Sequence, residues 1–212
     1  MSTNLTSYLR RFTEIPFLLD YLHTKEIAIP SPNTWDDRND AYYVDLYKNK
    51  KKCESAYALC MTQSAETYHH WKIFCSGASS VCIEFNRDSF IENASLADKT
   101  ILLRKMEYRT LKSMREDGIE LKDLPFTKRI AFEDEREFRA VKIKKASCGP
   151  VYRLPMPISS VNKVILGPWI PKSVAINVKA SLLKVPGCSK LKVTRSNLTE
   201  NPEWKRIAEH AD

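Results

Sequence analysis

Glycine is scarce in this chain, with five in 212 residues. The phosphate-cradling loops of nucleotide enzymes need several glycines clustered where a strand meets a helix. Their absence argues against a P-loop nucleotidase and against a doubly wound dinucleotide fold. Paired metal ligands are lacking too. None of the six cysteines (Cys53, Cys60, Cys75, Cys82, Cys148, Cys188) forms a CxxC pair, and the four histidines offer no ligand spacing. No metal site is therefore expected, and the thiols are expected to be reduced. The opening MSTNLTSYLRR has no apolar core of a secretory signal, and no apolar run approaches a membrane span. The expectation is a cytoplasmic protein with no membrane partner. No internal repeat is visible.

What remains is a chain with ample apolar content, 43% of residues, and a formal charge of +8 from 34 basic and 26 acidic side chains. The first supports a sizeable core, and the second favours nucleic acid, nucleotides or acidic partners.

The pattern predicts short strands with helices interspersed irregularly. Strands are expected over 7–13, 26–29, 56–62, 80–85, 100–108, 152–154, 161–166 and 191–194. Helices are expected after Pro16, with Phe17, Leu18, Tyr21 and Leu22 on one face, and over 67–74, 88–97, 110–117, 171–185 and 201–211. In the 171–185 helix, Val174, Val178 and Leu182 form the inward stripe. Trp35 to Asp40 has the oxygens of a turn-holding segment, and Lys48 to Lys52 is a solvated basic loop. With no repeating strand–helix alternation, the fold class is α+β: a single domain of mixed or antiparallel sheet with flanking helices.

The stretch FEDEREFRAVKI, 132–143, carries the most chemistry. As a strand it places Glu135, Glu137 and Arg139 on one side. Two carboxylates held side by side can divide their roles, one orienting a hydroxyl and the other stabilising positive charge. The same run can equally be a ladder of solvated surface charges, and spacing alone does not choose.

Seven pieces in order supply a resemblance: SYLRRFT, PNTWDDRND, LCMTQ followed by a Trp-containing helix, SVCIEF, Glu135-x-Glu137-Phe138-Arg139, VNKVILGP and KVTRSNL. Together, over about 7–198, they resemble the uncharacterised bacterial domain family that includes abortive-infection AbiGi-like phage-defence proteins. The skeleton is also remotely similar to ADP-ribosyltransferases. Those carry an Arg or His on a first strand, a Ser or Thr on a second, and Glu-x-Glu before a later one.

The resemblance implies one ADP-ribosyltransferase-like domain over 1–212, with core 7–198 and tail 199–212. It implies NAD as the substrate, with RNA or DNA as acceptor and an antitoxin or chaperone as partner of a toxin or defence effector. Residue by residue it implies Glu137 as the carboxylate facing the ribose and Glu135 as the residue orienting or deprotonating the acceptor. Arg11 (or Arg10) would bind the pyrophosphate or ribose, Thr62 the nicotinamide ribose, and Trp71 would stack near the nicotinamide. The middle motif departs from the Ser-Thr-Ser pattern, reading Cys60-Met61-Thr62, and Glu133-x-Glu135 offers a second Glu-x-Glu register.

Other classes stay open at this point. One is a non-enzymatic basic domain binding nucleic acid or a partner protein. Another is a metal-dependent nuclease using Asp36, Asp37 or Asp40. The enzymatic reading requires Arg11, Thr62 and Glu137 to meet in one cleft.

Overall fold

The computed structural model describes residues 7–75 and 77–209. The chain begins with β1 (Tyr8–Glu14), α1 (Ile15–Thr24) and β2 (Glu26–Pro30), then α2 (Arg38–Lys50), β3 (Ser55–Thr62), α3 (Tyr68–Phe74), β4 (Ser80–Asn86) and α4 (Arg87–Ala97). Next come β5 (Leu102–Lys105), β6 (Glu107–Arg109), α5 (Leu111–Asp117), β7 (Thr127–Arg129) and β8 (Glu137–Lys144). It closes with β9 (Val151–Pro155), β10 (Val161–Leu166), α6 (Lys172–Leu183), β11 (Val193–Arg195) and α7 (Pro202–Ala208).

Seven strands form the main sheet in the order β11-β10-β4-β1-β3-β8-β5, and the pairs β2–β9 and β6–β7 stand apart. Among the described residues, only β10–β11 is parallel in the main sheet. The architecture is therefore α+β with a mixed sheet and flanking helices. Strand β4 is buried along Ser80–Phe85, packed on both faces as a central strand.

The two faces of the sheet differ. One carries the large core: Leu9, Leu59, Ile83, Phe85, Phe138 and Val164 pack under Leu18, Tyr21 and Leu22 of α1 and under Phe90 of α4. The other face has two small apolar clusters, Ala58–Met106–Phe126–Val141 and Trp71–Cys75–Cys82–Ile165. Polar side chains fill the space between them, and there the site lies.

Several expectations shift in informative ways. Phe17 is 56% exposed, because α1 turns Leu18, Tyr21 and Leu22 inward and Phe17 falls off that stripe. In α6 the inward positions are Ala175, Val178 and Leu182, one residue out of phase with Val174. The strand expected over 100–108 is broken at Met106, whose N–H bonds the Glu137 carbonyl and whose side chain is buried. The largest miss is α2. The supposed turn and basic loop are the two ends of one 13-residue helix, with Asp37 as N-cap accepting from the N–H groups of Asn39 and Asp40. Its inward face, Asp40, Val44 and Tyr47, is too polar to stand out as a stripe. The tail helix spans Pro202–Ala208, and residue 211 lies outside the described residues.

One motif glycine has a steric reason. A Cβ on Gly167 would lie 2.8 Å from Ser80 Cβ and 3.0 Å from Ser80 O, where the Gly167 N–H already bonds that carbonyl at 2.8 Å. Gly167→Ala is expected to destabilise the fold by about 1–3 kcal/mol through overpacking against backbone. Chemical denaturation of both proteins measures it, and an unchanged midpoint would refute the close approach.

Candidate active site

Strand register builds the site. Arg10 pairs across β1 with Glu84 on β4 and with Thr62 on β3, and Thr62 pairs with Glu137 on β8. Directly opposed residues share a face, so Glu84, Arg10, Thr62 and Glu137 form one polar row over four adjacent strands. Strand spacing puts Arg10 and Glu137 roughly 10 Å apart at the backbone. Arg10, Thr62, Glu135 and Glu137 all line one cleft of about 380 Å³, within the size range of small-molecule sites. Phe12, Trp35, Phe74 and Phe132 supply its aromatic walls.

Glu135 reaches this cleft by a route that strand alternation did not foresee. It ends a 3-10 turn over Ile130–Glu135, Arg136 takes a left-handed conformation (φ 42°), and β8 starts only at Glu137. The kink at Arg136 brings the Glu135 side chain back beside Glu137.

Behind the row sits a charge cluster whose centre is Arg139, a side chain with no exposed surface. All five of its N–H groups are used. Nε and Nη2 donate to Glu137 at 2.7 and 3.0 Å, Nη1 and Nη2 to Asp40 at 2.7 and 2.6 Å, and Nη1 to the Pro125 carbonyl at 3.0 Å. The Trp35 ring covers the guanidinium at 4.9 Å. Lys128 of β7 completes the cluster, with Nζ 2.6 Å from Glu135, 3.5 Å from Glu137 and 3.7 Å from Asp40. Burial and then the Glu137 charge push the nearby Cys60 thiol well above its ordinary range.

This surrounding separates the two glutamates. Burial pushes Glu137 up, but the Arg139 charge, its hydrogen bonds and Lys128 outweigh that, and the carboxyl titrates below its ordinary value. Burial also pushes Glu135 up. Lys128 offsets only part, Glu137 and Asp40 add to the push, and Glu135 titrates above its ordinary value. Neighbouring carboxyls driven in opposite directions suit one permanent anion and one group that exchanges a proton.

The remaining expected residues fall differently, and the requirement that Arg11, Thr62 and Glu137 meet in one cleft fails at Arg11, whose place there Arg10 takes. Arg11 points to the opposite face of β1 from Arg10, where its Nη2 donates to the Ala28 carbonyl at 3.0 Å. Burial draws it down to about 10, and it does not line the cleft. Trp71 is wholly buried and donates to Glu66 at 2.9 Å. It packs edge to face on Phe12 of the cleft wall, at 4.9 Å. Thr62 lines the cleft, but its hydroxyl donates to the Glu135 carbonyl at 2.6 Å and accepts from the Ser64 N–H at 3.0 Å. It therefore anchors the Glu135 turn.

Asp37 caps α2 and Asp40 holds Arg139, while Asp36 lines the cleft. Sequence reasoning passed over Lys128, Phe12 and Trp35 as site residues, and weighed Asp40 only as a residue of a metal-dependent nuclease. A buried strand arginine implies a carboxylate partner, but nothing local pointed across 99 residues to Asp40.

No protein-family model matches the chain, and no curated protein matches it. Solved structures similar to it include two of one protein. One is the Thermus sp. 2.9 DarT in complex with ADP-ribosylated ssDNA, at 7% identity and TM-score 0.47, covering 90% of this chain and 94% of that one. The other is the Thermus sp. 2.9 DarT in complex with NAD+, at 8% identity and TM-score 0.45, covering 92% of this chain and 98% of that one. No residue correspondence follows from similarity at this level.

Proposed function

We propose that the cleft binds NAD and transfers its ADP-ribose unit to a nucleic acid, as a toxin or phage-defence effector of one ADP-ribosyltransferase-like domain with core 7–198. The observation that carries this reading is the cross-strand row Arg10–Thr62–Glu137, which opens with Glu135 into a single cleft. Breaking the bond between ribose and nicotinamide develops positive charge on the ribose. A fixed carboxylate beside the ring stabilises it. Glu137 fits that role, being held as an anion by Arg139 and Lys128. Glu135 takes the acceptor's proton.

The geometry favours Arg10 over Arg11 for the phosphates or ribose. Among the described residues Arg10 contacts the Ser64 carbonyl at 2.6 Å and Glu84 at 2.7 Å, which aims it without using all five donors. Phe12 and Phe74 replace Trp71 as the surfaces for the nicotinamide. A second cleft, also about 380 Å³, meets the first at Asp37, Asp40 and Lys128. Its exposed Arg38 and Arg129, with Tyr42, suit an approaching nucleic acid. The charge-ladder alternative fares worse, since Glu137, Arg139 and Lys142 are buried and form no continuous surface.

Arg10→Lys keeps the charge facing Glu84 but loses the two-pronged fork. It is expected to raise KM for NAD by about tenfold or more, equivalent to one charge-assisted hydrogen bond. Arg11→Met is expected to lower the melting temperature and leave KM within about twofold. Steady-state kinetics of both decide between the arginines. The overall reading is tested by incubating the protein with NAD labelled in the adenylate half, together with RNA, DNA or lysate. Label is expected in the nucleic-acid fraction, and intact NAD throughout would refute the reading.

A further inference from the structure

Lys128 stands in the wall between the two clefts, and its help to Arg139 in holding Glu137 does not account for its shorter contact to Glu135. Its side chain is 9% exposed, and its ammonium lies over the Phe132 ring, 4.7 Å from the centroid. The ammonium touches three carboxylates that arrive on three separate elements: Glu135 from the turn, Glu137 from β8 and Asp40 from α2. Its shortest contact is to Glu135.

Arg139 already satisfies both oxygens of Asp40 and both of Glu137, and it makes no hydrogen bond to Glu135. Glu135 is therefore the carboxylate that depends on Lys128. We propose that Lys128 is a positioning residue that holds Glu135 ionised and turned towards the acceptor, so that Glu135 serves as the base of the transfer. This rests on the ADP-ribosyltransferase reading above.

The step it supports balances. The acceptor's O–H or N–H gives its proton to Glu135 while its lone pair forms the bond to the ribose carbon. The bond from that carbon to nicotinamide breaks, and the electron pair leaves with nicotinamide, which departs neutral. Glu135 then releases its proton to water. Without Lys128, Glu135 would bind its proton more tightly. It is half-buried and faces Glu137 and Asp40, with Tyr108 also on the cluster through its hydroxyl, which accepts from the Glu137 N–H at 2.8 Å. Its own segment adds the exposed Glu133, Asp134 and Arg136, and Arg10 lies across the cleft. Lys128 is the cation in direct contact with it.

The sign follows from the causes. Burial raises Glu135, and Lys128 is the leading influence that lowers it. Removing the ammonium must move the titration further up, so the base becomes ready only at higher pH than in the parent.

The experiment follows side-chain carboxyl carbons of ¹³C-labelled glutamate by NMR against pH. Parent, Lys128→Met, Lys128→Gln and Lys128→Arg are compared, with Glu135→Gln assigning the resonance. Transfer from NAD is measured over the same pH range, with melting temperatures alongside. The expected result is a rise of about one unit or more in the Glu135 titration for Lys128→Met, the size typical of one adjacent opposite charge. The acid limb of the rate profile should rise with it, and Lys128→Arg should restore both. Lys128→Gln gives the same reading if the Met variant does not fold. An unmoved Glu135 titration, or a rate lowered equally at every pH with only the melting temperature changed, would overturn the proposal. Should the parent cleave no NAD, the enzymatic reading fails, and the carboxyl titration alone decides whether Lys128 sets Glu135.

Discussion

Glu137→Gln is expected to lower ADP-ribose transfer about a hundredfold or more, the loss of roughly 3 kcal/mol of transition-state stabilisation. The carboxylate is 4% exposed and is held by Arg139 on both oxygens, so it is rigid and its charge is fixed before substrate arrives. Glutamine keeps the volume but removes the charge, and its amide nitrogen can no longer accept from the guanidinium. Some stability is therefore lost as well. The loss should stay below the ~3–5 kcal/mol of a fully orphaned buried ion, because Arg139 keeps both bonds to Asp40. Transfer must accordingly be compared below the melting point of the variant. A Glu137→Gln protein that is folded and transfers at the parental rate would show that the charge on this strand serves only the fold.

Asp40→Ala should give the largest stability effect. Asp40 is 4% exposed and accepts two Arg139 bonds from 99 residues away, tying α2 to β8. Its loss strips two N–H partners from a guanidinium that water cannot reach. The expected cost is about 3–5 kcal/mol, or roughly 6–20 °C in melting temperature for a chain of this length. The double variant Asp40→Leu with Arg139→Met should not recover it, since losing the guanidinium leaves the buried Glu137 carboxylate with Lys128 as its neighbouring cation. Its activity should stay low, because Glu137 loses its clamp. A melting temperature for Asp40→Ala within about 2 °C of the parent would mean that the buried pair contributes little.

The legible parts of this chain were those fixed by local chemistry. Strand β8 announced itself through Phe138, Val141 and Ile143, and Pro16 opened α1 as expected. The carboxylate pair was visible as Glu135-x-Glu137, although the Arg136 kink, and not strand alternation, sets it. Choosing between Arg10 and Arg11 needed strand register, because adjacent residues on a strand face opposite ways and a one-residue shift exchanges them. Trp71 went to the core because a large ring on a short helix has more apolar area to bury than a cleft wall would cover. Helix α2 and the role of its Asp40 were missed because an inward carboxylate looks like surface until its buried arginine is known.

The most direct test of the central claim is nicotinamide release from NAD by the purified parent, Glu137→Gln and Glu133→Gln at one temperature below all three melting points. Glu133 is exposed and lies outside the cleft, so it controls for loss of any glutamate in this stretch. Release by the parent and by Glu133→Gln, with about one hundredth or less from Glu137→Gln, is the predicted result. No release by the parent, or equal release by all three, would contradict it.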